Sequence, residues 1–593
     1  MKKIPYGISN FKRLITEDMY YVDKTKYIEI LEQKEDYQFF IRPRRFGKSL
    51  FLSLLETYYD LNEKDKFDKI FDGLYIHKNK TSRANSYIIL KLNFATIITD
   101  QGKEALINSF DELVCSSINK CILKYSHKLG QNNLPAEKNK ATYAFDYLIT
   151  LAEINNQKVL LLIDEYDNFA NNIMSEHRKL YDDLMHDSGY IRTFYKTIKK
   201  ATSTEALTRI FMTGVSPITL DELTSGANMF GNITNEEDLN EMLGFTEEEV
   251  IKMIDYYQLE NKVNKKDLLT VIENYCNGYK FNKYVSKTLY NTDMVLYILN
   301  GIKKSGRFPD NLIDENMKTD YTRLRRLAAR FAEEDEMKKI IENEKTDQVE
   351  IKEKFNIESL SKAEDKQTSL YSLLYYLGLL TIDKKVANKV ILKIPNYAVK
   401  VLYWEYMSKL YDIESIISSI EIGKAMEKMR LKGEVVDIFE IYNKFRNSLS
   451  NRDLIHYNET TGKLLFIMLA QIDGVYLIET EREASGGYTD LYLRENVRYK
   501  EAINYNYLME FKHIKSKDLK GSLSKDSQQE ILKKNKQIID KKKKEARNQL
   551  NEYIKEINII KATNKEIRKL MVVTLGKKYV EYEFVEEAQR KLS

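Results

Sequence analysis

Three short apolar runs, each closing on polar residues, set the pattern of the first 240 positions. Phe39-Phe40-Ile41 leads into Arg42-Pro43-Arg44-Arg45-Phe46-Gly47-Lys48-Ser49, and a helix-like stretch follows over 49–59. Lys158-Val159-Leu160-Leu161-Leu162-Ile163 ends on Asp164-Glu165, and Leu207-Thr208-Arg209-Ile210-Phe211-Met212 ends on Thr213-Gly214. Another apolar strand is expected over 87–94, with helix-like stretches near 102–125 and 138–155, and a loop and one long helix over 166–204. Buried strands alternating with helices predict a mostly parallel sheet flanked by helices. Residues 1–37 read as a short strand and helix ahead of the first run. Residues 217–240, with Gly226, Gly231 and several Asn, read as an exposed loop at the sheet's carboxyl edge, where α/β sheets bind ligands.

From Leu243 the pattern turns helical, opening at Thr246-Glu247-Glu248-Glu249 with an N-cap and an acidic first turn. A glycine turn interrupts at Asn277-Gly278-Tyr279. Residues 283–410 are mostly helical but include strand-like runs at 379–382 and 390–395. Helices followed by such a hairpin suggest a winged-helix-like module. The last part opens on a helix at 462–472 and then alternates strand-like runs. The expected organisation is an N-terminal α/β domain over 1–240, a helical lid and winged-helix-like region over 241–410, a helical connection over 411–450, and a C-terminal α/β domain over 451–593.

Length agrees with several domains, since 593 residues exceed what one core usually holds. With 43% apolar and 31% charged residues the chain is expected to be globular. No apolar run approaches the roughly 20 residues a membrane span needs, and the start has no signal-peptide core. A cytoplasmic location is expected, or a nuclear one in a eukaryote, with no membrane partner. Cys115, Cys121 and Cys276 fit neither a disulfide framework nor a zinc site, and His513 reads as a surface neighbour of the second site below. Net charge is +5, but 511–547 holds 13 Lys/Arg against 5 Asp/Glu. That stretch is the candidate contact for DNA or RNA, against the alternative of a solvated lysine-rich helix.

The chemistry-bearing residues fall at the ends of strands. Gly47, Lys48 and Ser49 supply what a nucleoside triphosphate requires: a turn whose N–H groups face the phosphates, a neutralising lysine, and a hydroxyl for Mg²⁺. Asp164 would orient Mg²⁺, Glu165 would polarise the attacking water, and Thr213 stands where a γ-phosphate sensor is expected. In the C-terminal part, Asp490 begins one strand and Glu510-Phe511-Lys512 ends the next. Two carboxylates can hold Mg²⁺ against a phosphodiester while Lys512 offsets the developing charge. Glu481, at the end of a helix-like segment, could complete the metal shell, and Gln549 on a following helix could cap the site.

Arg42-Pro43-Arg44-Arg45-Phe46-Gly47-Lys48-Ser49, Val22-Asp23-Lys24-Thr25, Ile163-Asp164-Glu165-Tyr166-Asp167 and Thr213-Gly214-Val215-Ser216 together resemble the AAA-ATPase-like family of P-loop proteins. Gly486-Gly487-Tyr488-Thr489-Asp490 and Met509-Glu510-Phe511-Lys512 resemble the PD-(D/E)XK nuclease-like domain that often follows in that family. The resemblance implies an ASCE-type P-loop ATPase with Walker A and Walker B motifs, ATP and Mg²⁺ as cofactors, and a C-terminal restriction-endonuclease-like α/β domain. Arg42 in place of the first P-loop glycine is the family's own variant. Two departures stand out. Gly487-Tyr488 replaces the usual Gly-Arg ahead of the nuclease Asp, and the lysine-rich stretch 516–544 lengthens the gap from Lys512 to Gln549, which counts against Gln549.

Overall fold

The computed structural model describes residues 1–176, 178–185, 189–218, 230–319, 322, 334–361, 366–449, 457–484, 487–553 and 565–585. The chain divides into two compact units, Met1–Val399 and Lys400–Ser593.

In the first unit, β1 (Tyr37–Ile41), β2 (Ile88–Asn93), β3 (Val159–Asp164), β4 (Leu207–Gly214) and β5 (Gly231–Asn232) form one sheet in the order β2-β3-β4-β1-β5. Every pairing is parallel. β3 is buried at all six positions, as its unbroken apolar run requires of a strand covered on both faces. The registers pair Ile41 with Gly214 and Asn93 with Asp164. The carboxyl ends of β1, β3 and β4 therefore reach the same edge. Phe40, Leu160, Leu162 and Phe211 pack with Phe51, Leu52 and Leu55 of the helix Lys48–Tyr59, which fixes that helix against the sheet directly after β1.

Two expectations for this unit change. Within 166–204 the described residues are helical over Asn168–Glu176, Arg178–Met185 and Tyr190–Ala201, and the last of these starts afresh at Gly189, whose backbone is extended (φ −54°, ψ 146°). Within 217–240, residues 219–229 lie outside the described residues, but the stretch after them is no exposed loop: β5 adds a fifth strand, and Ile233 and Thr234 are buried. Ile233 N–H donates to the Phe39 carbonyl and Thr234 Oγ1 accepts from Ile41 N–H. The sheet thus captures as an edge strand a segment whose glycines and asparagines concealed it.

Thr246 caps the helix Glu247–Tyr256 with a reciprocal capping box to Glu249. Helices Lys265–Cys276 and Thr292–Ser305 follow. Later come helix Glu334–Asn343, β6 (Lys345–Val349), helices Ile357–Ser361 and Lys366–Tyr376, and the hairpin of β7 (Thr381–Val386) and β8 (Lys389–Lys393). These strands form an antiparallel sheet in the order β6-β8-β7. Gly278 ties this part inward. Its φ of +100° suits glycine, and a Cβ there would stand 2.0 Å from the Pro395 carbonyl oxygen.

The second unit holds β9 (Tyr476–Ala484), β10 (Gly487–Glu495), β11 (Tyr505–Ile514), β12 (Glu566–Leu575) and β13 (Tyr579–Phe584) in the order β13-β12-β11-β10-β9. Only β11 and β12 run parallel. The helices Glu459–Asp473 and Lys536–Tyr553 both pack on β11. Glu481 lies in the middle of β9 rather than at the end of a helix, because the preceding helix stops at Asp473 and Gly474 takes a left-handed C-cap. Its side chain is outside the described residues. All three cysteines are free thiols, with Cys121 and Cys276 buried. Among the described residues no helix is long and apolar enough to cross a membrane.

Candidate functional sites

The turn from β1 into its helix builds the first site. Gly47 has φ +90° and caps the helix Lys48–Tyr59 without a side chain, so the first-turn N–H groups open onto a cavity of about 400 Å³. Gly47, Lys48, Ser49 and Glu165 line that cavity. So do Arg44 and Arg45, Tyr20-Tyr21-Val22 from the N-terminal segment, and Met242–Phe245, Met253 and Leu296 from the helical region. Lys48 is buried and donates to the carbonyls of Arg42 (2.9 Å) and Pro43 (2.8 Å). Burial pushes its ammonium down to about 8 against the pull of Glu165 and Asp164.

The end of β3 supplies the carboxylates. Asp164 is buried, and its Oδ1 has no hydrogen-bond partner among the described residues. An orphaned carboxylate oxygen beside the Gly47-Lys48-Ser49 turn fits a divalent cation. Glu165 adopts a left-handed backbone, φ +50°, unusual for a non-glycine residue and costing about 1 kcal/mol or more. Its carboxyl is raised by burial, with Arg44 and Lys48 opposing. The conformation is held by the next residues. Asp167 accepts from Val215 N–H (3.1 Å) and Ser216 N–H (2.7 Å), and the Tyr166 hydroxyl donates to the Ser216 carbonyl. A Cβ on Gly214 would stand 2.4 Å from both Tyr166 and Asp167, so glycine is required where these loops close. Thr213 sits at the same edge, but its hydroxyl donates to the Phe40 carbonyl at 2.8 Å and fastens β4 to β1.

Sequence reasoning missed what Arg42 does. Its guanidinium is buried, 4.2 Å from the ring centres of both Phe40 and Phe281, and donates to the carbonyls of Ile41 (2.9 Å), Thr234 (2.7 Å) and Leu239 (3.1 Å). It faces away from the turn and braces it from beneath. The Val22-Asp23-Lys24-Thr25 motif is likewise structural in part. Asp23 accepts from Thr25 and from Tyr75 N–H, while Lys24 pairs with Glu249 at 2.7 Å along the cavity wall. Only the spacing of Arg42, in a glycine's place, could have signalled this.

In the second unit β10 and β11 bring Asp490, Glu510 and Lys512 together. Asp490 Oδ2 accepts from Phe511 N–H at 2.9 Å, and Lys512 Nζ donates to Glu510 Oε1 at 2.8 Å. Glu510 is 1% exposed with Oε2 unpartnered among the described residues, so a divalent cation fits here too. Burial and the neighbouring Asp490 raise its carboxyl well above the ordinary range, opposed by Lys512. Two further groups on the helix Glu459–Asp473 escaped the sequence reading. Glu459 reaches Lys512 Nζ at 3.4 Å, and buried Lys463 lies 3.8 Å from Asp490 Oδ1. Helical spacing signalled that helix, but nothing in its sequence pointed its polar residues at Asp490.

Gln549 lines a cleft of about 420 Å³ together with Glu459, Lys512, Lys542 and Glu545. The long lysine-rich gap does not remove it, because the helices Gln528–Lys534 and Lys536–Tyr553 take up the extra length. His513 is partly buried, hydrogen-bonded to Thr574 and stacked edge-on with Tyr457; burial pushes it down to about 4, so it stays neutral. Part of the basic run is already engaged: Lys543 pairs with Glu581 and Glu583, Arg547 with Glu583, and Lys534 with Asp526.

A family model described as a predicted AAA-ATPase matches residues 5–224, and one described as the PD-(D/E)XK nuclease superfamily matches residues 457–584. The chain carries both domains. The AAA-ATPase-like match contains the Gly47–Ser49 turn and Asp164-Glu165, and the nuclease-superfamily match contains Glu459, Asp490, Glu510 and Lys512. The chain is also similar to an uncharacterized protein in the vnfD 5' region of Azotobacter chroococcum mcd 1, with 30% identity over 256 residues. That match spans 42% of this chain and 44% of the relative.

Arg42→Gly, which restores the general P-loop pattern, should destabilise the AAA-ATPase-like domain by about 3 kcal/mol. It strands three carbonyls and opens a void between two rings. Thermal unfolding checks this, and a midpoint equal to the parent's would contradict the bracing role.

Proposed function

We propose that this chain is an ATP-binding and ATP-hydrolysing P-loop protein that also carries a Mg²⁺-dependent nuclease acting on DNA or RNA. The observation that carries the first half is the meeting of Gly47, Lys48, Ser49 and Glu165 on one cavity beside the unpartnered Asp164 oxygen. Lys48 would exchange its two loop carbonyls for the β- and γ-phosphates, Ser49 and Asp164 would hold Mg²⁺, and Glu165 would take the proton of the attacking water. Thr213 would sense the γ-phosphate by turning its hydroxyl from Phe40. The placement of β4 between β1 and β3 suits an ASCE-type sheet. Tyr20, Val22, Met242, Phe245 and Leu296 offer an apolar wall for adenine, with 243–300 as a lid. Helix, strand, two helices and a hairpin, with β6 paired to β8, support the winged-helix-like reading of the middle region.

For the nuclease, the carrying observation is the convergence of Asp490, Glu510 and Lys512. Bound Mg²⁺ would polarise the phosphate and acidify a water. Asp490 and Glu510 are the proposed ligands, with Glu481 as a further one. Glu510 must give up its proton to bind a cation, so metal uptake should improve as pH rises above the ordinary carboxylate range. Lys512, held by Glu459 and Glu510, is placed to meet negative charge, and the lysines of 511–547 outside the ion pairs above would contact the polyanion. A second reading is a nucleotide-switched scaffold whose C-terminal domain binds without cutting. The engagement of Lys512 by two carboxylates favours it.

Three outcomes are expected. ATP affinity should fall as pH climbs through about 8, where Lys48 in the free protein loses its proton. Lys48→Ala should bind weakly with no such fall, and a fluorescent-ATP titration from pH 7 to 9.5 reads both. Saturating ATP should slow hydrogen exchange across 243–300, and unchanged exchange there would remove the lid. Finally, Mg²⁺- or Mn²⁺-dependent cleavage of single- or double-stranded DNA or RNA should vanish in Asp490→Ala, Glu510→Ala and Lys512→Ala alike. Salt-sensitive binding without cleavage under any condition would leave the scaffold reading standing.

A further inference from the structure

We propose that Arg44, inside the phosphate-binding turn, is the cation that meets the charge developing during γ-phosphoryl transfer, so that this ATPase supplies its own arginine in cis. The inference rests on the ATP-hydrolysis reading above.

Three arginines stand within four residues here, and the fold sends each a different way. Arg42 goes beneath the turn, between Phe40 and Phe281. Arg45 turns to Asp293 at 3.2 Å, and its own carbonyl accepts from the Thr292 hydroxyl at 2.7 Å and Asp293 N–H at 3.3 Å, which pins the residue in its left-handed backbone. Arg44 lines the cavity with Lys48, Ser49 and Glu165 and reaches toward the end of β3. There its Nη2 donates to Asn168 Oδ1 at 2.8 Å.

Asn168 is itself fixed from two sides. Its N–H donates to the Glu165 carbonyl at 3.1 Å, and its Nδ2 donates to the Ala95 carbonyl just beyond β2 at 3.2 Å. One carboxamide therefore holds the guanidinium beside the short loop that presents Glu165. That carboxamide orients the guanidinium of Arg44, whereas the guanidinium of Arg45 is engaged by Asp293. Arg44 is also the foremost positive influence on the Glu165 carboxyl, ahead of Lys48.

In the hydrolytic step the water oxygen bonds to the γ-phosphorus while the bond from that phosphorus to the bridging oxygen breaks and its electron pair stays on ADP. The water proton passes to Glu165 and then to solvent. Negative charge builds on the bridging and equatorial oxygens, where a planar, permanently charged donor placed in advance is most effective. Asn168 would be a positioning residue for that donor.

The test uses the full chain and two readouts: steady-state ATP turnover, and trapping of ADP–Mg²⁺ with aluminium fluoride, which imitates the transferring phosphoryl group. Arg44→Ala should bind ATPγS within about threefold of the parent, yet lose turnover by roughly 10³-fold and lose the fluoride complex. Arg44→Gln serves as the second variant should alanine unfold the turn, with thermal unfolding to check both. Asn168→Ala should fall between parent and Arg44→Ala. Added guanidinium should restore part of the turnover of Arg44→Ala but none of that of Lys48→Ala. Equal turnover and equal fluoride trapping in parent and Arg44 variants would overturn the inference, as would a folded variant that no longer binds ATPγS. A parent that binds no ATP, or binds it without turnover, would instead defeat the ATPase reading and this inference with it.

Discussion

The buried guanidinium of Arg42 is the interaction on which the first unit turns. Moving a cation out of water is costly, and here three main-chain carbonyls and two aromatic faces offset the cost. The carbonyls belong to β1, to the segment after β5 and to the approach to the helical region, and Phe281 follows the Gly278 turn. One side chain thereby fastens the strand that ends in the Gly47-Lys48-Ser49 turn to two later parts of the chain. Phe46 extends the joint by meeting Tyr279 and Phe281 edge to face. A glycine at position 42 would leave the turn free but unsupported.

The second unit solves a related problem with opposite sign. Glu510 is a buried acid within β11, and one of its oxygens has no hydrogen-bond partner among the described residues. Lys512, two residues on and on the same face, satisfies one; Asp490 makes the deficit worse. Such a pair is stable only while a cation is near, supplied by Lys512 from within or by a metal from outside. Glu459 adds a second anchor for Lys512, so the lysine can serve the carboxylates without wandering. Asp490 is held differently, by accepting the Phe511 N–H where the β10–β11 ladder ends.

Strand ends were legible because period and composition mark them directly. The unbroken run 159–163 could be little other than a central parallel strand, and the Gly-Lys-Ser turn announced its helix. Asp490, Glu510 and Lys512 were visible as two carboxylates and a lysine on successive strands, but they lie within β10 and β11 and not at their ends. The two-residue β5 was not, since its pairing comes from its neighbours and not from its own glycine and asparagine. Nor was Glu459, which reaches Lys512 across 53 positions of sequence through helix packing. The 166–204 region read as a loop and one long helix, and the fresh start at Gly189 was missed. Arg42 was readable as a deviation, but its direction depends on Phe281, far along the chain beyond the Gly278 turn.

The lysine-rich helix Lys536–Tyr553 carries a consequence of its own. Lys543 and Arg547 lie against Glu581 and Glu583 of β13, so carboxylates on the protein offset part of their charge. Were the proposed polyanion to dock on such a face, its phosphates would exchange places with carboxylates instead of releasing bound salt. The entropy of counterion release, which usually drives protein–nucleic-acid association, would then come only from the lysines outside those pairs. Counting basic residues in the sequence overstates the positive charge open to a partner, because two glutamates already engage part of it.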